Sequence, residues 1–474
     1  MAARRRLPVP GPRALAFAFV VLGVVALGLS LGRARPYDRL TEDERDYLYA
    51  AANLARSGTL SFAPPGSGEP TADAYREPLF PILLAAGWWS AGLTPPASAT
   101  EVEAIFSQAP LYRSIRWLQL GFLTLAAVAS GWAAWQLAGA KAGAAAFLFV
   151  SASPALHERS VMVMTEVAAA AAIAALAAAL VAAARGRVGG AWTAMAIVAL
   201  LPLLRAEALL LLPLAGLAVG WYPSSAQAKN RERRLRAAFA AFLLAALPSA
   251  GWMVRNQWRL GMAALSDRSG LALAVRARLD AEVARVGIGP ALLVWTPLDS
   301  AQAKAKELAP SSTLADYRWT GAGNFFTRTI TEWRRERAAS GGDALAVDAA
   351  YRRDAWRRFR SHPGAHLQAT LAVAWRALFA ERSPPWCEPF DFRFELGLLL
   401  LAAVGIFAGR AVGRRDAPRF AFLLPFLLLF SFHALATEFL PRYAVPLLPG
   451  AWVAVAVLLL AGEAPRMGVA PAED

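Results

Sequence analysis

The sequence predicts an all-α fold, a polytopic transmembrane bundle of about ten to twelve helices with two extracytoplasmic loop regions. Three observations lead there. Charged residues make up 18% of the chain, against roughly 25% in an ordinary soluble domain, and mean hydropathy is +0.39. Apolar runs of helical length recur from one end of the chain to the other. Basic residues gather in the short segments between those runs, as they do in cytoplasmic loops. The 474 residues hold 49 Lys and Arg against 34 Asp and Glu, a net charge of +15. In a soluble protein that balance would suggest nucleic acid; here topology accounts for it, and no nucleic-acid partner is expected. A disordered chain would not be this apolar. The single cysteine, Cys387, excludes an intramolecular disulfide, and no Cys/His cluster has zinc spacing.

A bilayer core of roughly 30 Å takes about 20 helical residues. The first run, 14–32, follows Arg4, Arg5, Arg6 and Arg13. It is long for a signal-peptide core and many runs follow, so it reads as an uncleaved helix with the N-terminus in the cytoplasm. Further runs lie at 117–138, 142–156, 160–184, 190–204, 206–221, 237–254, 396–409, 420–436 and 444–462. The shorter ones need local thinning or support from neighbouring helices. Lys141, the pair Arg185 and Arg187, the cluster Lys229, Arg231, Arg233, Arg234 and Arg236, and the cluster Arg410, Arg414, Arg415 and Arg419 all face the cytoplasm if 79–93 does not cross. That segment is short for a span, and its length leaves spanning, re-entry and an interfacial position open. Three regions result: a membrane module 1–254 that includes an outer loop 33–116, an outer segment 255–394 forming a small cap, and membrane helices 395–474. Within the outer segment, 327–337 and 348–360 read as charged helices, 367–379 as an apolar patch, and Ser383-Pro384-Pro385-Trp386 as a turn back to the membrane.

The first outer loop carries the most informative stretch. Residues 41–58 read as a helix capped by Thr41, with Asp43 and Glu44 in the favoured first turn. Tyr47, Ala51, Leu54 and Gly58 share one face that can lie on the membrane helices. A carboxylate at the mouth of the bundle can take a proton from a hydroxyl nucleophile; the same pair also fits a solvated interfacial helix. Next, Arg76 sits in Tyr75-Arg76-Glu77-Pro78-Leu79-Phe80-Pro81, where prolines stiffen the approach to the membrane. Arg76 can reach a phosphate or simply snorkel.

Ionisable groups in or beside spans are costly unless paired or hydrated. Arg116, His157, Glu158, Arg159, Glu166, Arg205, Glu207, Arg255-Asn256, Glu438, Arg442 and Tyr443 all fall on the outer side of this topology. Their convergence predicts an outward polar cavity, although any single arginine also suits an interfacial anchor. An acidic base with several arginines fits a substrate bearing a hydroxyl on one side and a phosphate on the other. No phosphate-cradling Gly-rich loop with Lys, no His-Glu-x-x-His and no Gly-x-Ser-x-Gly elbow occurs. His362 and His366 are split by Pro363, so no metal site is expected. No cofactor is expected either, with a weakly bound divalent cation left open. Trp88-Trp89 reads as an interfacial belt.

The order of these motifs resembles the GT-C superfamily of integral-membrane glycosyltransferases, in particular the branch of protein O-mannosyltransferases and lipid A aminoarabinose transferases. The matching residues are Asp43, Glu44, Tyr47, Ala51 and Gly58; Pro78 and Pro81; Ser153, Pro154 and Glu166; Arg205; Arg255 and Asn256; His362 and Pro363; and Arg442, Tyr443 and Pro446. The resemblance implies a GT-C-like bundle in a bacterial-type plasma membrane. It also implies inverting transfer of a sugar from a polyprenyl-phosphate donor to an extracytoplasmic acceptor, with membrane lipids as surroundings. Asp43 carries over as general base with Glu44 its neighbour, and Arg255 and Arg442 are candidates for the phosphate, followed by Arg116 and Arg205. Arg76, Glu166, Asn256 and Tyr443 complete the expected substrate site. Where the family often has a basic residue before the first Pro, this chain has Glu77, and the β-rich insert of the O-mannosyltransferases is missing. Two other readings are a transporter or flippase of lipid-linked glycans, which needs polar residues across the bilayer, and a non-catalytic scaffold on the same fold.

Overall fold

The computed structural model describes residues 12–33, 39–220, 231–310, 325–340, 344–381, 393–413, 416–437 and 440–460. Arg4, Arg5, Arg6, Lys229, the Ser383-Pro384-Pro385-Trp386 turn, Cys387, Arg414, Arg415 and Glu438 lie outside them. The described residues are mostly helical, with no strand among them.

The chain begins with α1 (Pro12–Leu31), then α2 (Glu42–Ser57), α3 (Leu79–Ser90) and the single turn α4 (Ala99–Glu103). Next come α5 (Ala109–Ala138), α6 (Ala140–Ala152), α7 (Pro154–Ser160), α8 (Glu166–Ala184) and α9 (Val188–Leu204). A 3₁₀ turn over Ala206–Leu211 leads into α10 (Leu212–Gly220), followed by α11 (Arg231–Leu260). The outer segment holds α12 (Ser269–Val286), α13 (Ile288–Trp295), α14 (Asp299–Leu308), α15 (Phe325–Ala339), α16 (Ala344–Ser361) and α17 (Pro363–Ala377). The chain then follows α18 (Arg393–Gly413), α19 (Ala417–Ala436), α20 (Pro441–Ala444) and α21 (Leu448–Leu460).

Among the described residues, seven helical stretches are long and apolar enough to cross a membrane: α1, α5, α8, α11, α18, α19 and the composite Pro441–Leu460. Four shorter apolar helices, Leu79–Ser90, Ala140–Ala152, Val188–Leu204 and Ala206–Gly220, accompany them. Each expected run therefore has a helix, but the third and fourth are cut differently. Pro154 lacks an amide proton and restricts Ser153, so α6 stops at Ala152 and a separate short α7 carries His157, Glu158 and Arg159. The following span starts at Glu166, six residues later than expected.

Helix α8 is the axis of the bundle. Its sequence is almost wholly Ala with a few Leu, Ile and Val, and nearly all of it is buried. In lipid no hydrophobic force drives helices together, so close approach of small side chains does the packing. The α5–α6 crossing uses the same device: a Cβ on Gly143 would stand 2.8 Å from the Gly131 carbonyl oxygen.

The cap is tied down by polar contacts. Buried Arg276 of α12 pairs with Asp280 at 2.6 Å, donates to Thr370 Oγ1 at 2.7 Å and to the Thr437 carbonyl at 2.9 Å, and also bonds the Ala434 carbonyl. It thereby satisfies the C-terminal carbonyls of α19, where a cation is favoured. Asp348 of α16 accepts from the Gly270 and Leu271 amides at the start of α12.

Candidate active site

The site is built on the first turn of α2. Thr41 caps it: its Oγ1 accepts from the Glu44 amide at 3.3 Å, and Glu44 Oε2 accepts from the Thr41 amide at 3.0 Å, a reciprocal capping box. Glu44 Oε1 accepts from the Val163 amide at 2.9 Å, in the turn between α7 and α8. Glu44 is fully buried. One carboxylate oxygen of Glu44 thus closes the cap of α2, and the other fastens the helix to the turn between α7 and α8.

Fixing α2 this way aims Asp43 at two arginines from distant parts of the chain. Arg442 Nη1, at the start of α20, donates to Asp43 Oδ2 at 2.5 Å, and Arg76 Nη2 donates to Asp43 Oδ1. Arg76 also grips Asp46 through Nε at 3.0 Å and Nη2 at 2.7 Å. Its guanidinium lies 4.9 Å from the Tyr47 ring centre, a cation–π contact that lets a buried arginine keep its charge. Burial by itself would raise the Asp43 carboxyl, but Arg76, Arg442 and Arg268 together hold it well below the usual carboxylate range. Asp46 lies the other way: burial outweighs Arg76 and pushes it up.

Arg76 is presented by a loop with internal bracing. Asn53 Nδ2 donates to the Ser61 and Ala63 carbonyls, each at 2.9 Å. Asp73 accepts from the Phe62 amide at 2.8 Å and the Tyr75 amide at 3.1 Å. Glu77 turns away from Asp43 and accepts from Ser266 Oγ at 3.2 Å and the Ala206 amide at 3.3 Å. Burial, then the nearby Glu207, pushes the Glu77 carboxyl up.

A second polar layer lies beneath. Tyr443 is flanked by Arg442 at 5.3 Å and Arg205 at 5.6 Å. Arg205 pairs with Glu207, Glu207 approaches His433 Nε2 at 3.6 Å, and His433 stacks on Tyr443 with ring centres 5.4 Å apart. Glu166, the first residue of α8, is buried. Its Oε2 has no hydrogen-bond partner among the described residues. The hollow here, lined by Arg205, Glu207, His433 and Tyr443 among others, has a volume of only about 10 Å³, room for about one water. Around Arg205, Glu207, His433 and Tyr443 the polar side chains are thus closely packed.

Asp43, Arg76, Glu166, Arg205, Arg442 and Tyr443 accordingly share one neighbourhood, whereas three expected residues sit elsewhere. Arg116 donates to the Ser30 carbonyl at the α1–α5 contact. Arg255 donates to the Asp73 carbonyl at 3.2 Å and to Asn256 Oδ1 at 2.7 Å, and lies over Trp252 at 4.5 Å. It braces the loop that carries Arg76 and does not bond Asp43. Asn256 donates to the Ala264 carbonyl at 2.7 Å and is fully buried, holding the turn after α11. His362 precedes Pro363 on an exposed surface, its Nδ1 2.8 Å from Ser361 Oγ. Sequence reasoning missed Asp46, Arg268 and His433. Asp46 follows Asp43 at i+3 on one helix face, and His433 is an ionisable group inside an apolar run, so both left a signal; Arg268 left none. Among the described residues no three His, Cys, Asp or Glu side chains gather as metal ligands.

No family model and no curated protein matches the sequence. Among solved structures, the chain is similar to the oligosaccharyltransferase of Archaeoglobus fulgidus in complex with zinc and sulfate, at 14% identity and TM-score 0.47, over 94% of this chain and 49% of that one. A second archaeal structure, AglB from the same organism with an inhibitory peptide and a dolichol-phosphate, gives 12% identity and TM-score 0.46 over 94% and 50%. ArnT from Cupriavidus metallidurans bound to undecaprenyl phosphate gives 15% identity and TM-score 0.37 over 94% and 76%. The chain thus spans about half the length of the archaeal proteins it matches. Identities and TM-scores of this order leave the chemistry to the residues themselves.

Proposed function

We propose that the chain is an inverting membrane glycosyltransferase, moving a sugar from a polyprenyl-phosphate donor to a hydroxyl on an extracytoplasmic acceptor. The observation that carries this reading is one carboxylate, Asp43, shared between Arg76 and Arg442 at the end of the bundle where the polar residues converge. A carboxylate held by two arginines is a weak base. A donor phosphate offers Arg442 a better partner, because guanidinium matches phosphate oxygens two at a time. Phosphate binding therefore draws Arg442 off Asp43 and returns the carboxyl toward its ordinary basicity. Asp43 then accepts the acceptor's hydroxyl proton as the oxygen forms a bond to the anomeric carbon. The carbon–oxygen bond to phosphate breaks on the opposite face, and polyprenyl phosphate leaves as an anion beside Arg442. Arg76 keeps Asp43 in position. The active end faces the extracytoplasmic side of a bacterial-type plasma membrane. A transporter would need polar residues along the bundle, yet α8 is apolar from Val167 to its end.

The test is release of polyprenyl phosphate from a polyprenyl-phosphate hexose by the purified protein, wild type against Asp43→Asn. The variant should insert and melt like wild type and lose roughly 10²–10⁴ in turnover. Wild-type turnover in Asp43→Asn would reject Asp43 as base, and no release by wild type with any hydroxyl acceptor would reject the transferase.

A further inference from the structure

Helix α16 carries five arginines between 351 and 361, Arg352, Arg353, Arg357, Arg358 and Arg360, against one carboxylate, Asp354. Asp354 is occupied by Arg357 and Arg358, while Arg353 and Arg360 have no charge partner among the described residues. Arg352, Arg353, Trp356, Arg357, Arg360 and Ser361 line a shallow, open groove along one face of α16. Trp356 stands half-exposed in the middle of it.

Two observations say what this groove takes. First, the apolar face of α16 is already used: Ala355 and Phe359 are buried with Ala277 against α12. A helix that inserts into a membrane surface offers its apolar face to lipid; this one packs its apolar face on α12 and turns its cations and one flat ring outward. Second, one end of the groove meets the start of α12. Arg352 Nη1 donates to Ser269 Oγ at 3.1 Å. The preceding residue, Arg268, lies 4.8 Å over Tyr75 and acts through space on Asp43. From Arg352 to Arg360 the helix rises roughly 12 Å, more than one sugar ring.

We infer that the α16 groove, with Trp356 as a platform for a sugar ring and the arginines as partners for its phosphates or carboxylates, holds an anionic glycan acceptor whose end reaches Asp43 past Arg268. This deepens the transferase reading and rests on it for the word acceptor; the binding itself does not need catalysis. Charge-assisted bonds from arginine are the strong ones, and an arginine-lined groove rejects a neutral chain only by offering it less.

The experiment titrates full-length protein in detergent with two fluorescein-labelled hexasaccharides, one with a carboxylate on alternate sugars and one of neutral glucose, read by anisotropy. Wild type should bind the anionic probe at least tenfold more tightly than the neutral one. Arg353→Glu with Arg360→Glu should lower that affinity at least tenfold, and the milder Arg353→Gln with Arg360→Gln severalfold, with melting temperature unchanged. Trp356→Ala should weaken both probes. Equal affinity for the two probes, or no loss in a folded double variant, overturns the inference. So does preferential binding of phosphatidylglycerol vesicles over the anionic probe, which would make the groove a membrane contact. Polyprenyl phosphate release with a neutral acceptor reports on the transferase alone, so the two readings fail separately.

Discussion

Asp43 and Glu44 are adjacent in sequence and about 100° apart around α2, and this separation decides their roles. Glu44 meets the backbone of Thr41 and Val163; Asp43 meets Arg76 and Arg442. The sequence shows an acidic pair and an N-cap but not which acid faces the arginines, because that depends on where the α7–α8 turn comes to rest. Arg76 and Arg442 were legible as arginines beside prolines at membrane borders; Arg268 was one of many in a charged segment. A capping box accepts Gln in place of Glu, and the single Gln oxygen can serve only one of the Thr41 and Val163 amides, so Glu44→Gln should lower the melting temperature but keep turnover within about tenfold of wild type. Glu44→Ala leaves the buried Val163 amide unsatisfied and removes a cap, costing about 1–3 kcal/mol, visible as a lower melting temperature. Loss of turnover in Glu44→Gln as deep as in Asp43→Asn would return Glu44 to the chemistry.

At the scale of elements, α2 was readable end to end: Thr41 begins it and Gly58, at φ +71°, ends it, a left-handed conformation that glycine adopts without strain. The membrane runs were readable too, since hydropathy needs no tertiary information. The break at Ser153 was readable only as a motif. Its stability comes from Glu381, 228 residues on, which accepts from Ser153 Oγ at 2.7 Å and the Ala155 amide at 3.0 Å. The loop before α3 makes a prediction of its own. Burial pushes the Asp73 carboxyl from 3.8 up to about 6, against the amides of Phe62 and Tyr75. The folded loop therefore holds a proton that the unfolded chain has already released, and stability falls as pH rises through 6. Melting temperature should drop between pH 4.5 and 6.5 in wild type and less so in Asp73→Asn. The same slope in both would mean that Asp73 is ionised throughout.

Across the whole molecule the polar residues collect at one end of the bundle, as contacts between far-apart segments attest: Asp43 with Arg442, Glu77 with Ser266, Ser30 with Ser160. Alternating helix direction puts α1's last turn, the first turns of α5 and α8, and the last turns of α9, α11 and α19 there together. Reporter fusions after residue 340 should therefore read extracytoplasmic and those after 186 cytoplasmic, and the reverse pattern would place the site on the wrong side for a lipid-linked donor. The proposed competition between Asp43 and a donor phosphate for Arg442 is tested most directly by the affinity of the purified protein for polyprenyl phosphate. Asp43→Asn, which removes the competing charge, should bind polyprenyl phosphate about tenfold or more tightly than wild type, about 1.4 kcal/mol, while losing turnover. Equal or weaker binding by the variant would contradict the account.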